Sequence, residues 1–362
     1  MATTTTASIS KSERSYIQSS LLAPTPLRAD GRSLLDYRTV LLETGVAPLA
    51  NGSAKLNIGK MSHEGGGGTE VLAAVKLEVE DVELGDGADG GRVACSVAWC
   101  VQSPNPPCRA ARITEYCKGS SPSAYPHLSS NALDDLQYDL TMVLQQTLAH
   151  PSLHPPNLGI LPHKKSWLLN LDIVVLADAG NVVDALFMAA RAALWDTKVP
   201  QTRPVQYRAW EPAPSAGDSG DMDVDQGPGG SGLDTRMLAR IAADFELPDY
   251  WDEGEVLGGR EKWPVCITLN VLPPVHFIDA TPPEEASTAL RILLMFSFPP
   301  SSPPKLQSMR YLGPGELNLA QIKSLIADGE KYARELHTAL ETKLRDEDLR
   351  RNVKAPEKFA VR

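Results

Sequence analysis

Basic residues are in deficit. Across 362 residues, 35 Lys and Arg face 45 Asp and Glu, a formal net charge of -10. A free-standing nucleic-acid binder neutralises phosphates with the opposite surplus. Aromatic residues make up only 6% of the chain, leaving few ring faces on which unpaired bases could stack. The five cysteines (Cys95, Cys100, Cys108, Cys117 and Cys266) are odd in number and irregularly spaced, which argues against a disulfide framework and for a reducing compartment. No apolar run approaches the roughly 20 residues of a membrane-spanning helix. Met1 to Tyr16 is rich in Thr and Ser and carries no apolar stretch of the kind a signal peptide needs. The chain therefore reads as soluble and intracellular, with no membrane partner.

Proline and glycine, by contrast, are plentiful at 29 and 27 residues, and 42% of the chain is hydrophobic. That is enough for two compact lobes of roughly 100–200 residues each, joined by many irregular connections. Between Glu211 and Thr235 the acids Glu211, Asp218, Asp221, Asp223, Asp225 and Asp234 occur without a single Lys or Arg. Ala213 to Asp234 is dominated by Gly, Ser, Pro and Asp, which cannot bury enough apolar area to offset the entropy of ordering. A disordered surface insertion is expected there. Asp221, Asp223 and Asp225 are spaced like the opening of a calcium loop, but Gln226 stands where glycine is required and Gly232 where the closing glutamate belongs.

The periodic segments predict an α+β chain. Ser12 to Leu22 reads as a short amphipathic helix stopped by Pro24 and Pro26. Val71 to Leu84 alternates as a half-buried strand, and Arg92 to Val101 is a second strand across a glycine-rich loop. The two are expected to pair as a hairpin. Asn131 to His150 spaces its leucines at three and four, a helix capped by Ser130 or Asn131. Trp167 to Ala177 is apolar on nearly every residue, as a central strand covered on both faces would be. A turn at Asp178-Ala179-Gly180-Asn181 leads into a helix, Asp184 to Trp195. Val265 to Leu272, Val275 to Ile278 and Leu290 to Phe298 are strand-like. A last helix begins at Asn318, with Gln321 completing a capping box.

Local chemistry is thin. Gly85 to Gly90 satisfies the G-x-G-x-x-G spacing, but a strand follows it, and Asp86 and Asp89 would repel a pyrophosphate, so a hairpin loop is the better reading. The cysteines lack metal-ligand spacing, and His150 and His154 are separated by a helix-breaking Pro151. No nucleophile elbow, P-loop or paired metal motif occurs. No metal and no cofactor are expected.

The order of certain short motifs is more telling. They are Leu27-Arg28-Ala29-Asp30-Gly31-Arg32, Glu43-Thr44-Gly45, Asn51-Gly52-Ser53-Ala54, Leu171-Asp172-Ile173-Val174-Val175-Leu176 with Gly180-Asn181-Val182-Val183-Asp184-Ala185, and Ile278-Asp279-Ala280-Thr281 with Glu284-Glu285. Together they resemble the RNase PH family, and more narrowly its non-catalytic ring subunits in the RNA exosome. The similarity covers about residues 14–200 and 246–340. It implies an RNase PH-like βαβα two-layer fold, of the ribosomal-protein-like left-handed βαβ type, with a smaller C-terminal α/β lobe. The implied division is an N-terminal helix and arm over 1–26, domain 1 over 27–200, the acidic insertion over 201–245, domain 2 over 246–345 and a charged tail over 346–362.

In active members the turn after the central strand supplies Gly, then Ser or Thr, then Arg, to hold the inorganic phosphate that attacks the terminal phosphodiester. Gly180, Asn181 and Val182 stand at those positions. A valine neither neutralises phosphate nor offers an arginine's paired hydrogen bonds. Active members also carry two aspartates at the spacing of Glu285 and Arg291, so that a cation here replaces the second carboxylate and the acid or metal-binding role it would serve. The helix Asn131 to His150 contains no Lys or Arg, whereas related archaeal subunits use arginines there to grip RNA. Arg28, Asp30 and Arg32 are the candidate contacts with RNA or a neighbouring subunit.

The resemblance thus implies a non-catalytic subunit that supports 3′→5′ RNA processing and degradation, including rRNA maturation and mRNA turnover. Its expected partners are paralogous RNase PH-type subunits in a hexameric ring, RNA-binding cap subunits, an associated exoribonuclease, and RNA passing through the channel. The expected location is nucleus and nucleolus, also cytoplasm. The alternative is an active phosphate-dependent 3′→5′ exoribonuclease.

Overall fold

The computed structural model describes residues 9–59, 67–82, 90–99, 124–125, 128–205, 244–247, 254–300 and 302–360, with side chains up to 350. Residues 206–243 of the acidic insertion, residues 83–89 of the glycine-rich loop, Cys100, Cys108 and Cys117 lie outside the described residues, while the two ends of the 201–245 segment pair as short strands.

The first sheet is built from β1 (Val40–Thr44), β2 (Gly52–Ile58), β3 (Thr69–Asp81), β4 (Arg92–Trp99), β5 (Gly159–Leu161) and β6 (Lys165–Ala177). Its order is β1-β2-β3-β6-β4, with β5 alongside β6. The continuous apolar run of β6 follows from this central place, since strands flank it on both sides. Leu77 lies opposite Leu169 in the antiparallel pair with β3, and Cys95 opposite Leu171 in the parallel pair with β4.

The expected hairpin of Val71 to Leu84 with Arg92 to Val101 is therefore corrected. β3 and β4 are separated by β6, and β4 reaches β6 by a parallel crossover through α2 (Ser130–Leu148). The apolar pattern identified both strands, but a strand's pattern carries no information about its partner. α2 also covers the outer edge of β4, an edge that would otherwise offer unpaired backbone groups. The Cys95 and Val97 N–H groups donate to the Gln145 side-chain oxygen (2.6 Å) and the Thr141 hydroxyl (3.2 Å), and Gln145 Nε2 donates to the Val93 carbonyl. The cap of α2 is Ser129 rather than Ser130 or Asn131; its hydroxyl accepts from the Ala132 N–H.

The helix α3 (Val182–Asp196) is buried at every residue from Asp184 to Trp195. It packs against β1, β2 and β3 of the first sheet and against β11 (Val265–Leu272) of a second sheet. That second sheet has the order β12-β11-β13-β14, with β12 Val275–Phe277, β13 Leu290–Ser297 and β14 Lys305–Leu312. A helix that is apolar on all sides belongs between two layers. One continuous hydrophobic core joins the two sheets through it.

The short strand pairs β7 (Lys198–Val199) with β10 (Glu255–Val256), and β8 (Arg203–Val205) with β9 (Asp244–Glu246), complete the strands. The C-terminal helix Leu319–Ala360 lays Leu325, Ala333, Leu336, Leu340 and Leu344 into the core. Its expected capping box is present, with Asn318 and Gln321 exchanging backbone-to-side-chain hydrogen bonds of 2.8 and 3.0 Å.

At the other end of the chain, α1 (Lys11–Leu21) carries its own capping box between Ser10 and Glu13. It docks on the short helix Pro282–Ser287, where Gln18 donates to the Ser287 carbonyl and Leu21 packs with Phe277 and Ala280. None of the described helices is long and apolar enough to cross a membrane.

Candidate functional site

The end of β6 and the start of α3 meet the segment from Ile278 to Glu285, and the contact is set by glycine. Gly180 has φ of +90°, and a Cβ there would lie 2.4 Å from the Ala280 carbonyl oxygen. Only a residue without a side chain allows the two segments to approach so closely. Asn181 follows in the left-handed region at φ of 60°, a conformation that asparagine tolerates better than most residues.

The N–H groups of Ala179, Gly180 and Asn181 are satisfied by the chain itself. The Ala179 N–H donates to the Thr69 hydroxyl (3.0 Å), and the Gly180 N–H to the Asp178 carboxylate (2.8 Å). The Asn181 N–H donates to Glu285 Oε1 (2.7 Å). The second oxygen of Glu285 pairs with Arg291 at 3.2 Å. Asp178 also accepts the Tyr125 hydroxyl. The structure thus brings Gly180, Asn181, Glu285 and Arg291 into one cluster, with Val182 beginning α3 beside them.

Asp279 forms a second hub next to the first. Its side chain is fully buried and accepts from the Arg38 N–H (2.7 Å), Arg38 Nη2 (2.7 Å), Arg32 Nη1 (2.8 Å) and Asn181 Nδ2 (3.1 Å). Arg38 continues to the Ala179 and Gly180 carbonyls, stitching the turn to this carboxylate. Burial alone would raise the Asp279 pKa, but hydrogen bonds and charge from Arg38 outweigh it and hold the group below its ordinary value. At Glu285 the balance reverses. Burial pushes it up to about 7, although Arg291 opposes the shift, and the charge of Asp178 adds to it. Asp184, buried in the first turn of α3, is pushed up to about 6 by desolvation against hydrogen bonds from Thr268.

Arg28 does not face outward. Its side chain is fully buried, forks onto both oxygens of Glu284 (2.9 and 2.6 Å) and reaches the Ile278 and Asp279 carbonyls. The expected contact of Arg28 with RNA or another subunit is corrected accordingly: its donors are spent inside this chain. Arg32 is largely buried between Asp30 and Asp279, and Asp30 is its partner at 2.6 Å. These residues latch the N-terminal arm onto the Ile278 to Glu285 segment.

Arg38 and Asp279 were not singled out as site residues from the sequence. Asp279 belongs to the motif Ile278-Asp279-Ala280-Thr281, and its positive φ of 47° has no signature in the residue type alone. Among the described residues no group of three or more His, Cys, Asp or Glu side chains could hold a metal ion. His154 and His150 turn to separate partners, the Gly91 carbonyl and Ser152. Cys95 and Cys266 are buried free thiols, and burial pushes Cys95 up to about 12.

Residues 36–200 match the model of domain 1 of the 3′ exoribonuclease family, RNase PH. A Dictyostelium discoideum protein whose name describes it as an exosome complex exonuclease, RRP42, is 25% identical over 332 residues, which span 78% of this chain and 83% of that protein. A Sulfurisphaera tokodaii protein named exosome complex component Rrp42 is 31% identical over 176 residues, 48% of this chain, and its Saccharolobus solfataricus counterpart is 31% identical over 174. The chain matches about half the length of these archaeal relatives, 53% and 52%. Among solved structures, an archaeal exosome core aligns over 91% of this chain and 96% of its own, with a TM-score of 0.56 and 19% identity. The Archaeoglobus fulgidus exosome with RNA bound to its active site aligns with the same TM-score and identity over 90% and 97%. These two structures support the fold.

Proposed function

We propose, on the premise that residues 36–200 are an RNase PH domain, that this chain is a non-catalytic subunit of an exosome core ring. It supports 3′→5′ RNA processing and degradation by holding neighbouring RNase PH-type subunits around an RNA channel, while cap subunits and an associated exoribonuclease supply RNA entry and cleavage. The names of its relatives support the assembly. A place in nucleus, nucleolus and cytoplasm belongs to the same proposal.

One observation carries the absence of chemistry. The three N–H groups of the turn at Ala179, Gly180 and Asn181 all donate to acceptors of this chain, and one acceptor is the carboxylate of Glu285. Phosphorolysis needs an inorganic phosphate held in line with the scissile bond, by donors aimed at it and by positive charge. Here Val182 supplies no charge, Arg291 is paired with Glu285, and an incoming phosphate would meet a carboxylate already in place. These contacts anchor two segments of the chain to each other, which supports the reading of the turn as structural.

Purified alone and given uniformly labelled single-stranded RNA with inorganic phosphate, the chain should release no labelled nucleoside diphosphates. Mixed with a catalytically intact RNase PH-type partner, it should co-elute as a complex whose activity belongs to the partner. Phosphate-dependent release by the chain alone would establish the alternative, an active exoribonuclease.

A further inference from the structure

Proline follows a serine or threonine at Thr25, Ser103, Ser121, Thr281 and Ser302. Of these, Thr25 and Ser302 also have a basic residue three positions on, Arg28 and Lys305. That pattern suits a proline-directed protein kinase. The proline holds the preceding residue extended and presents no N–H of its own, while the cation can pair with an anionic group on the enzyme. The structure separates the two candidates. Arg28 is buried on Glu284, where no kinase can read it. Ser302, Pro303 and Lys305 are exposed on the connection from β13 to β14, where the Ser302 N–H donates to the Pro299 carbonyl (3.3 Å).

The surroundings of Ser302 are a second, independent observation. With Lys262, Lys305, Ser152, Ser297 and Gln307 it lines a cleft of about 270 Å³, and among the described residues no Asp or Glu lines it. The cleft lies at the end of the second sheet away from the turn at Gly180: Lys262 and Ser297 flank the pair Val265 and Phe296, whereas Arg291 pairs with Asn270 at the other end. Two ammonium groups in one cleft repel each other, and an anion between them turns the repulsion into attraction. We propose that Ser302 is a phosphorylation site for a proline-directed protein kinase and that the cleft with Lys262 and Lys305 receives the phosphoserine. The kinase transfers the γ-phosphoryl group of ATP: the phosphorus–oxygen bond to ADP breaks, a new one forms to Ser302 Oγ, and the hydroxyl proton passes to the catalytic aspartate of the kinase. The product carries a charge of about −1.5 to −2 and three acceptor oxygens. Those oxygens tie the connection before β14 to the segment before β11.

The test treats the full-length chain with a cyclin-dependent kinase, ATP and Mg²⁺, maps the phosphate by mass spectrometry, and melts treated and mock-treated protein at low ionic strength. Ser302 should be modified and Thr25 should not. Lys305→Met should slow the modification of Ser302 several-fold. Treatment should raise the melting temperature of the parent by about 2 °C or more, a rise that treated Ser302→Ala should not share. Lys262→Met should take up phosphate as the parent does and show less than half of the rise. A chain that leaves Ser302 unmodified would overturn the site. A phosphorylated parent that melts like treated Ser302→Ala, or a Lys262→Met chain with the full rise, would overturn the cleft as its receptor. None of these outcomes depends on nucleolytic activity, so release of nucleoside diphosphates by the parent would sink the functional reading alone.

Discussion

Asp279 and Glu285 sit on one segment and both face the turn at Gly180 and Asn181, yet they titrate in opposite directions. Asp279 is met by two arginines, a backbone N–H and an amide, and its pKa falls. Glu285 is met by one N–H and one arginine, and its pKa rises to about 7. Both pay desolvation, so the number and charge of the donors decide the sign. The first carboxylate is an anchor that depends on being charged, whereas the second is held in place at some electrostatic cost.

The sharpest way to break this contrast is to remove the anchor. Asp279→Ala leaves Arg32 and Arg38 largely buried without their carboxylate and should cost roughly 3–5 kcal/mol, read as a drop in the urea midpoint. A loss comparable to an ordinary surface substitution would mean that the arginines find water instead. Arg28→Ala comes next. It strands Glu284 beside the same turn and should cost about 3 kcal/mol, with proteolysis of the N-terminal arm accelerated because the latch to Ile278 and Asp279 is gone.

The smallest effect is expected at Glu285→Gln, and its signature is a pH dependence. Because the folded state raises the Glu285 pKa from 4.5 to about 7, the folded protein binds the proton more tightly. That contribution is fully present below about pH 4.5 and is lost as pH rises toward 7. The glutamine variant should therefore gain on the parent by roughly 2–3 kcal/mol between pH 5 and pH 8, measured by paired urea titrations. Asp279 has the opposite sign: its lowered pKa stabilises the fold above its ordinary 3.8, a contribution lost in acid as pH falls through the folded value. A parallel pair of curves for parent and Glu285→Gln would erase the distinction between the two carboxylates.

What the sequence made legible follows the same physics. β3, β6, β11 and β13 carry alternating or continuous apolar runs, and the helices α2 and α3 carry their leucine and alanine faces in the open. β2 was hidden because Lys55 and Asn57 interrupt its pattern, and its burial comes from α3 packing over Gly52, where an added Cβ would meet Thr197 and the Ala193 carbonyl. β14 was hidden because it is an edge strand with mixed residues. β3 and β4 follow each other in the chain but are separated in the sheet by β6, an order that no apolar pattern encodes. At the site, the family resemblance pointed to Gly180, Asn181, Val182, Glu285 and Arg291. The Arg38 to Asp279 bond joins residues 241 apart, and no local pattern marks such a pair.

The most direct test of the account is a crystal of this chain grown in concentrated sulfate. The account predicts the Glu285 carboxylate on the Asn181 N–H and Arg291, with no ion at that turn. A sulfate held by the Asn181 N–H and Arg291, with Glu285 swung away, would contradict it.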